Sequence, residues 1–269
     1  MTCLRKSAHA VDAFLFFELG QLLTSLEYEN LVTALNLALP AQVSIENLFF
    51  PLSSYLDAKQ DQRRGLELGQ AVLSHLERYP LDKLAGALGY EFARVIDNIA
   101  LRQLELKQYA AAEASYQKAL AIWLENKSHN ADEIKKRSAS IYHQLGAVAR
   151  EQRQWQQAEQ YYQQALQIFG EYDDRYAQAT IYGQLGILSG EQQRWMQARE
   201  YLLQALEIFV EYSDTYSSGI ALRSLARVWR ASNDASLPAA VANILGTSVE
   251  ETEKLLREML GGKPGEAGQ

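Results

Sequence analysis

The stretch from Ile141 to Tyr172, IYHQLGAVAREQRQWQQAEQYYQQALQIFGEY, decides the fold of this chain. It returns forty residues later (181 − 141 = 40), from Ile181 to Tyr212, as IYGQLGILSGEQQRWMQAREYLLQALEIFVEY. The aromatic, small and apolar positions recur at this period, beginning with Tyr142, Leu145, Gly146, Trp155, Ala158, Ala165 and Phe169. A fixed period of this size is typical of stacked supersecondary units that bury their apolar faces against each other. The repeat therefore predicts a solenoid.

The bulk composition fits a folded protein and disfavours two classes of partner. The chain has 269 residues, which is long for one compact domain, but a solenoid grows in one dimension and escapes that limit. Its net charge is −7, and its pI is near 5.3. Nucleic-acid binding needs a basic footprint, and anionic membranes attract cations, so neither is expected as a partner.

Cysteine usage and apolar runs indicate a cytoplasmic protein. The single cysteine, Cys3, excludes an intramolecular disulfide and a cysteine-rich zinc site. The apolar run from Ala13 to Phe17 is interrupted by Glu18, and no small-residue cleavage site follows it, so a signal peptide is not indicated. No uninterrupted apolar stretch reaches membrane-spanning length.

Helix-forming composition and apolar spacing predict helices along almost the whole chain. We expect Pro40 to close the second helix and Pro51 to kink or divide the early turns of the third. The first helix is hydrophobic all round, which indicates that another chain or a missing upstream domain covers it. The predicted ranges are about Ala8–Leu26, Tyr28–Leu39, Ser44–Ala58, Asp61–Tyr79, Leu81–Gln108, Ala110–Glu125, Asp132–Gln152, Trp155–Tyr172, Arg175–Gln192, Trp195–Tyr212, Leu237–Leu245 and Val249–Leu260.

The regularity of the repeat predicts four regions. Residues 1–80 form an N-terminal helical region of degenerate repeats, and residues 81–231 form the regular array. Residues 232–260 are expected to be capping helices, and the glycine-rich residues 261–269 a disordered tail.

Small residues at repeated positions predict close approach of helices. Gly146 and Gly186 let the first helix of a unit lie close to its partner helix. Gly65 and Gly69 lack the Gly-Lys-Ser/Thr of a phosphate loop, so they too are interpreted as helix-packing positions.

The pattern resembles the tetratricopeptide repeat, which favours an aromatic residue, Leu-Gly and spaced small residues. The matching residues are Tyr142, Leu145, Gly146, Ala158, Tyr162 and Ala165, with Tyr182, Leu185, Gly186, Ala198, Leu202 and Ala205 in the next copy. Ala149 and Ser189 depart from it, because the family usually has tyrosine there, and the proline after the second helix is absent. The longer period implies helices extended by about a turn, as in kinesin light chains. The resemblance implies an all-α fold, a right-handed α-solenoid of antiparallel helix pairs.

The glutamine-rich segment QWQQAEQYYQQALQI also resembles repeat arrays of bacterial, especially cyanobacterial, proteins. There, such arrays follow a STAND-type signalling NTPase module, and nothing in this chain matches a phosphate-binding loop. This resemblance implies a second possible role, as a sensor or regulatory segment acting with such an NTPase or another effector.

In tetratricopeptide arrays the first helix of each unit lines a concave groove that binds a peptide or protein. Carried over by register, the resemblance places these partner-binding residues in the groove: Arg94, Asp97, His143, Arg150, Glu151, Glu191, Arg223, Arg227 and Arg230. The last three share one helical face and are suited to binding carboxylates bidentately, as in an acidic peptide or a C-terminus. Two alternatives stay open: a solvated face, or pairing with the acidic last helix.

The lysine/asparagine clamp of chaperone-binding members is missing, because Asp97, Leu101, His143 and Ala147 stand at its positions.

Catalytic and metal-binding chemistry is not indicated. His9, His75, His129 and His143 are scattered without ligand partners, and no protease, hydrolase or phosphate-loop motif occurs, so we expect no enzyme activity, metal or cofactor. The segment from Leu237 to Leu260 resembles a DNA-binding helix-turn-helix, but Glu250, Glu251 and Glu253 open its second helix and would repel phosphates. The sequence therefore predicts a non-catalytic scaffold for a protein or peptide partner, with the regulatory role as alternative and DNA binding as a remote one.

Overall fold

The structure is a computed structural model that describes residues 27–84, 87–125 and 130–261. All regular secondary structure in these ranges is helical. The predicted helix Ala8–Leu26, with Cys3 and His9, lies outside the described residues, as do His129 and residues 262–269 of the predicted tail.

The described helices follow each other along the chain with short connections. We number them in order: α1 27–41, α2 Glu46–Ala58, α3 Gln62–Leu76, α4 Leu81–Leu84, α5 Ala87–Glu105, α6 Tyr109–Glu125, α7 Ala131–Glu151, α8 Trp155–Glu171, α9 Arg175–Glu191, α10 Trp195–Glu211, α11 Thr215–Ser232, α12 Leu237–Leu245 and α13 Val249–Gly261. For α6 to α10, α12 and α13 the predicted bounds are confirmed within about two residues. The expected all-α, tetratricopeptide-like solenoid of helix pairs is thus confirmed.

Two expectations about prolines need correction. Helix α1 runs through Pro40 to Ala41, because a proline in the last turn still accepts the helical φ angle. Pro51 lies inside α2, which is one helix from Glu46 to Ala58. Within the range predicted as one helix from Leu81 to Gln108, the described residues form α4 and α5, and residues 85–86 lie outside the described residues.

The chain forms two compact units, Met1–Ile134 and Lys135–Gln269. The second unit contains the best-matched repeats. Its α8 and α9 share a core of Ala158, Tyr162, Ala165, Leu185 and Leu188. Its last helices, α12 and α13, bury Leu237, Val241 and Leu256 with residues of α10 and α11. The predicted four-region division remains a prediction.

Two glycines make the helix pairs of the second unit possible. A Cβ atom added to Gly146 would lie 2.5 Å from Cε1 of Tyr162. At Gly186 it would lie 2.5 Å from Cγ of Leu202 and 3.2 Å from the Leu202 backbone nitrogen. The second contact involves backbone, which no rotamer change can relieve. The sequence-based interpretation of both glycines is confirmed.

The turns inside the helix pairs use one repeated backbone device. Lys107, Arg153, Gln193 and Asn233 each adopt a left-handed conformation, with φ of 60°, 60°, 60° and 52°. After α9, the Gln193 amide donates to the Gly190 carbonyl at 3.0 Å, and the Arg194 amide donates to the Ser189 carbonyl at 2.9 Å. These bonds satisfy carbonyl groups at the helix end and reverse the chain within three residues.

The first unit has a buried arginine that the sequence did not predict. Arg102 of α5 is only 1% exposed, and its guanidinium lies against α2 and α3. Nη1 lies 2.9 Å from Oδ1 of Asp57, and Nη2 donates to the Ser53 carbonyl at 3.0 Å and to its hydroxyl at 2.7 Å. A Cβ on Gly65 would lie 1.9 Å from Arg102 Nη1, and one on Gly69 would lie 2.8 Å from Cγ1 of Ile99. The predicted packing role of both glycines is confirmed.

We predict opposite effects of alanine at two glycines of α9. Gly186→Ala should destabilise the second unit by about 1–3 kcal/mol, because its Cβ overlaps Leu202. Gly190→Ala should stabilise it by about 0.5–1 kcal/mol, because no atom lies within 4 Å of the added Cβ and alanine favours the helix. Urea unfolding of both variants measures this difference. Equal effects of the two substitutions would contradict the close approach.

We also predict that Arg102→Met costs about 3 kcal/mol, because it leaves the buried Ser53 carbonyl without its charged donor. The matched control is Arg63→Met, an exposed arginine of α3, which should change stability by less than about 0.5 kcal/mol. Hydrogen exchange of α3 and α5 reports this unit separately. Unchanged protection in Arg102→Met would show that the buried network does not stabilise the unit.

Candidate peptide-binding groove

A cavity of about 480 Å³ opens on the second unit between the first helices of successive repeats, α9 and α11. Leu202 of α10 is fully buried and forms its floor, together with the buried side chain of Val228. Ile187 and Ile220 line its sides. A second cavity of about 120 Å³ continues it toward the N-terminal half of α9, and Ile187, Leu202, Ile220 and Ser224 line both. Gly186 and Gly190 also line this space, and neither has a side chain that would fill it.

Four of the predicted groove residues line this one cavity: Glu191, Arg223, Arg227 and Arg230. Arg223 is half-buried, whereas Arg227 and Arg230 are exposed. These residues lie around one cavity because a 40-residue period places equivalent positions of α9 and α11 beside each other.

The three cavity arginines differ from five other described arginines of the second unit, which form ion pairs. Ion pairs hold Arg150, Arg175, Arg194, Arg199 and Arg257 to carboxylates at 2.8–3.0 Å. Within the described residues, no carboxylate lies within 4.0 Å of Arg223, Arg227 or Arg230. Pairing with the acidic last helix, one of the two alternatives, is therefore absent in the described structure. In α13, Arg257 instead pairs with Glu253.

A polar cluster lies beside the cavity, around Arg150. Its Nη2 lies 2.8 Å from Oε1 of Glu151, and its Nη1 donates to Oε1 of Gln184 at 3.2 Å. Burial raises the pKa of the Glu191 carboxyl above its ordinary value, while the Arg150 guanidinium opposes that shift. Arg150 therefore interacts with the carboxylates of both Glu151 and Glu191.

His143 is held neutral by its surroundings. Its ring lies 6.1 Å from the ring of Tyr162, and burial, followed by the charge of Arg150, lowers the pKa of His143 to about 4. Tyr162 is fully buried, and among the described residues its hydroxyl has no hydrogen-bond partner. Burial raises the pKa of the Tyr162 hydroxyl well above its ordinary value. At neutral pH His143 therefore presents an uncharged face.

Arg94 and Asp97 belong to the first unit and are engaged there. The Arg94 guanidinium pairs with Glu46 and lies 3.9 Å from the centre of the Phe50 ring. Burial raises the pKa of Tyr116, and the charge of Asp97 adds to that effect. Their predicted role in partner binding stays a prediction, and the contacts of Arg94 favour packing.

The apolar lining of the cavity includes residues that the groove prediction missed. Ile220 is 39% exposed although it is a large aliphatic residue, and Ser224 and Trp195 also line the cavity. The 40-residue repeat makes Ile220 equivalent to Thr180 (220 − 180 = 40), and both residues line the adjoining cavity. This equivalence was the sequence feature that pointed to Ile220. The prediction placed Ile187 in the groove by register, but it did not include Ile220, Ser224 or Trp195.

Among the described residues, no group of three metal-ligating side chains occurs. None of the described helices is both long and apolar enough to span a bilayer.

The helix pairs and their close-packed small residues define an α-helical solenoid of tetratricopeptide-like repeats. The family model for the tetratricopeptide repeat matches residues 137–209. These residues are therefore tetratricopeptide repeats. No curated protein matches the sequence.

Several solved structures share the fold. BtubC (BKLC) from P. vanneervenii is 18% identical, with 94% of this chain and 96% of that chain covered and a TM-score of 0.64. The apo form of RapI is 16% identical, with 91% and 67% covered and a TM-score of 0.64. A putative kinesin light chain from Podosopora anserina, with nearly identical TPR-like repeats, is 14% identical, with 78% and 92% covered and a TM-score of 0.55. The resemblance to STAND-associated arrays has no counterpart among these.

We predict a pH-dependent contribution of His143 to stability. Because its folded-state pKa of about 4 lies below the ordinary value of 6.5, the unfolded chain binds more protons between these pH values. Its contribution is complete above about pH 6.5 and is lost as pH falls toward 4. His143→Gln should therefore lose less stability than the wild type between pH 7 and 4.5, by on the order of 2 kcal/mol. Urea unfolding at both pH values measures this.

The matched control is His75→Gln, which replaces an exposed histidine of the first unit and should keep the wild-type pH dependence. An identical loss of stability in wild type and His143→Gln would show that His143 is not held neutral.

Proposed function

We propose that this protein is a non-catalytic scaffold that binds a segment of a partner protein in the groove between α9 and α11. Tetratricopeptide repeats are typical of protein–protein interaction. The observation that carries the finer proposal is the open, largely apolar cavity whose wall holds three arginines without carboxylate partners among the described residues. Binding sites are concave and mainly apolar, with a few polar groups that set orientation and specificity.

The groove also fits binding because its parts are already in place. Leu202 and Val228 are fixed in the core, and α9 packs closely against α10 through Gly186. A groove that is already formed avoids part of the ordering cost of association. Exposed Ile220 supplies apolar area that folding has left in contact with water.

DNA binding by the last two helices is less well supported. Helix α13 opens with Val249, Glu250 and Glu251, and the Glu251 carboxylate accepts hydrogen bonds from the Ser248 amide and hydroxyl, both at 3.0 Å. This cap places negative charge where phosphates would approach. The role beside a signalling NTPase stays a prediction with no observation that favours it.

Photo-crosslinking tests the proposed groove. A benzophenone amino acid at Ile220 should form adducts with a partner in the cell of origin, because this position faces the cavity. The same group at Met196, which is 67% exposed on α10 and does not line the cavity, should form none or far fewer. Adducts of equal yield at both positions, or at Met196 alone, would place binding elsewhere.

A second variant links the adduct to the cavity itself. Gly190→Phe should remove the Ile220 adduct, because no atom blocks a side chain at Gly190, which lines the cavity. Gly219→Phe is the matched control, since its added Cβ also meets no atom within 4 Å but Gly219 does not line the cavity. If both substitutions preserve the adduct, the cavity is not the binding site.

A further inference from the structure

The wall of the cavity carries positive charge that the fold does not use. Arg223, Arg227 and Arg230 lie on one face of α11, and within the described structure no carboxylate neutralises them. The chain as a whole has a net charge of −7, so carboxylates are abundant elsewhere. Guanidinium groups bind carboxylates through paired hydrogen bonds, and such bonds are strong where water is partly excluded.

The spacing of these arginines sets the spacing of the charges they can bind. A helix rises 1.5 Å per residue, so Arg223 and Arg227 are about 6 Å apart along α11, and Arg230 follows about 4.5 Å further on. In an extended peptide, side chains on the same face are two residues apart, which is about 6.6 Å. Two acidic residues at positions j and j+2 of an extended segment therefore match Arg223 and Arg227.

The apolar part of the same cavity defines a second requirement. Ile187, Leu202 and Ile220 surround a space of about 480 Å³, which admits one or two bulky apolar side chains. This space lies directly beside the arginines, since Arg223, Arg227 and Arg230 line the same cavity. A ligand that fills both parts places an apolar side chain next to its acidic pair.

We propose that the groove selects an extended acidic segment of a partner protein, with carboxylates at alternating positions beside a bulky apolar residue. This inference rests on the proposed function and names the ligand chemistry of the same site. The carboxylates accept hydrogen bonds from Arg223, Arg227 and Arg230, and the apolar side chain enters between Ile187 and Ile220. A protein segment fits better than a nucleic acid because Glu191 also lines the cavity and would repel a continuous phosphate backbone.

A selection with random peptides tests this ligand class directly, because the library itself supplies the candidate ligands. A phage-displayed library of random dodecapeptides is selected on the full chain. We expect enrichment of Asp or Glu at alternating positions beside Leu, Ile, Met or an aromatic residue. The best synthetic peptide is then measured by fluorescence anisotropy, and its affinity should fall as salt rises.

Charge reversal identifies the residues responsible. Arg227→Glu with Arg230→Glu should weaken the selected peptide at least about tenfold, because both residues are exposed and repulsion replaces attraction. The matched control is Arg63→Glu with Lys254→Glu, which makes the same change in net charge at exposed sites outside the cavity and should bind as the wild type does. Thermal unfolding confirms that both double variants are folded.

The outcomes separate this inference from the proposed function. The selected peptides could lack acidic residues and still lose binding in Gly190→Phe. That result would overturn the proposed ligand class and leave the groove as the binding site. An equal loss of binding in the two charge-reversal variants would overturn the role of the arginines. Retention of a single-stranded oligonucleotide that depends on Arg227 and Arg230, with no peptide selected, would replace the peptide by a nucleic acid. No selected peptide together with no Ile220 adduct would overturn the proposed function itself.

Discussion

The close approach of helices at glycine is the constraint on which the second unit depends. Gly186 brings α9 so near to α10 that an added Cβ would lie 3.2 Å from the backbone nitrogen of Leu202, and Gly146 has the same relation to the ring of Tyr162. Interiors packed at this density transmit small changes in shape, because neither helix can move aside alone. The same absence of side chains has a second effect on the groove side. Gly186 and Gly190 also line the cavity, so glycine both allows the close helix contact and leaves space between α9 and α11.

The repeat separates residues that build the unit from residues that distinguish one copy from the next. The position of His143 is taken by Gly183 and then by Arg223, and the position of Arg150 by Gly190 and then by Arg230. On α7 these two positions hold a neutral histidine and an ion-paired arginine. On α11 both hold arginines, and no described carboxylate pairs with either of them. In a repeat array, equivalent surface positions can differ from one copy to the next while the core positions stay the same.

The first unit is held by a different interaction. Its α3 approaches α5 through Gly65 and Gly69, but the space is filled by the charged side chain of Arg102. A buried guanidinium is stabilising only when its donors are matched, and here Asp57, Gln62, Asn98 and Ser53 match them. The glycines could be interpreted from sequence because small residues on one helix face indicate a close contact. The residue that fills the space beside Gly65 could not, because Arg102 lies on another helix and two of its partners, Asp57 and Gln62, come from α2 and α3, about forty residues earlier in the chain.

The sequence alone determined the class of fold and most helix bounds after α5, because both follow from a period that repeats along the chain. Local periodicity does not specify which charges find partners. Only the tertiary structure showed that Arg150 is paired and that Arg94 packs against Phe50 and Glu46. Likewise, it was needed to show Arg223, Arg227 and Arg230 beside an open apolar cavity, without carboxylate partners in the described part of the chain. The physical reason is that ion pairing depends on distances of a few ångströms between side chains of different helices, and the sequence contains no direct record of these distances.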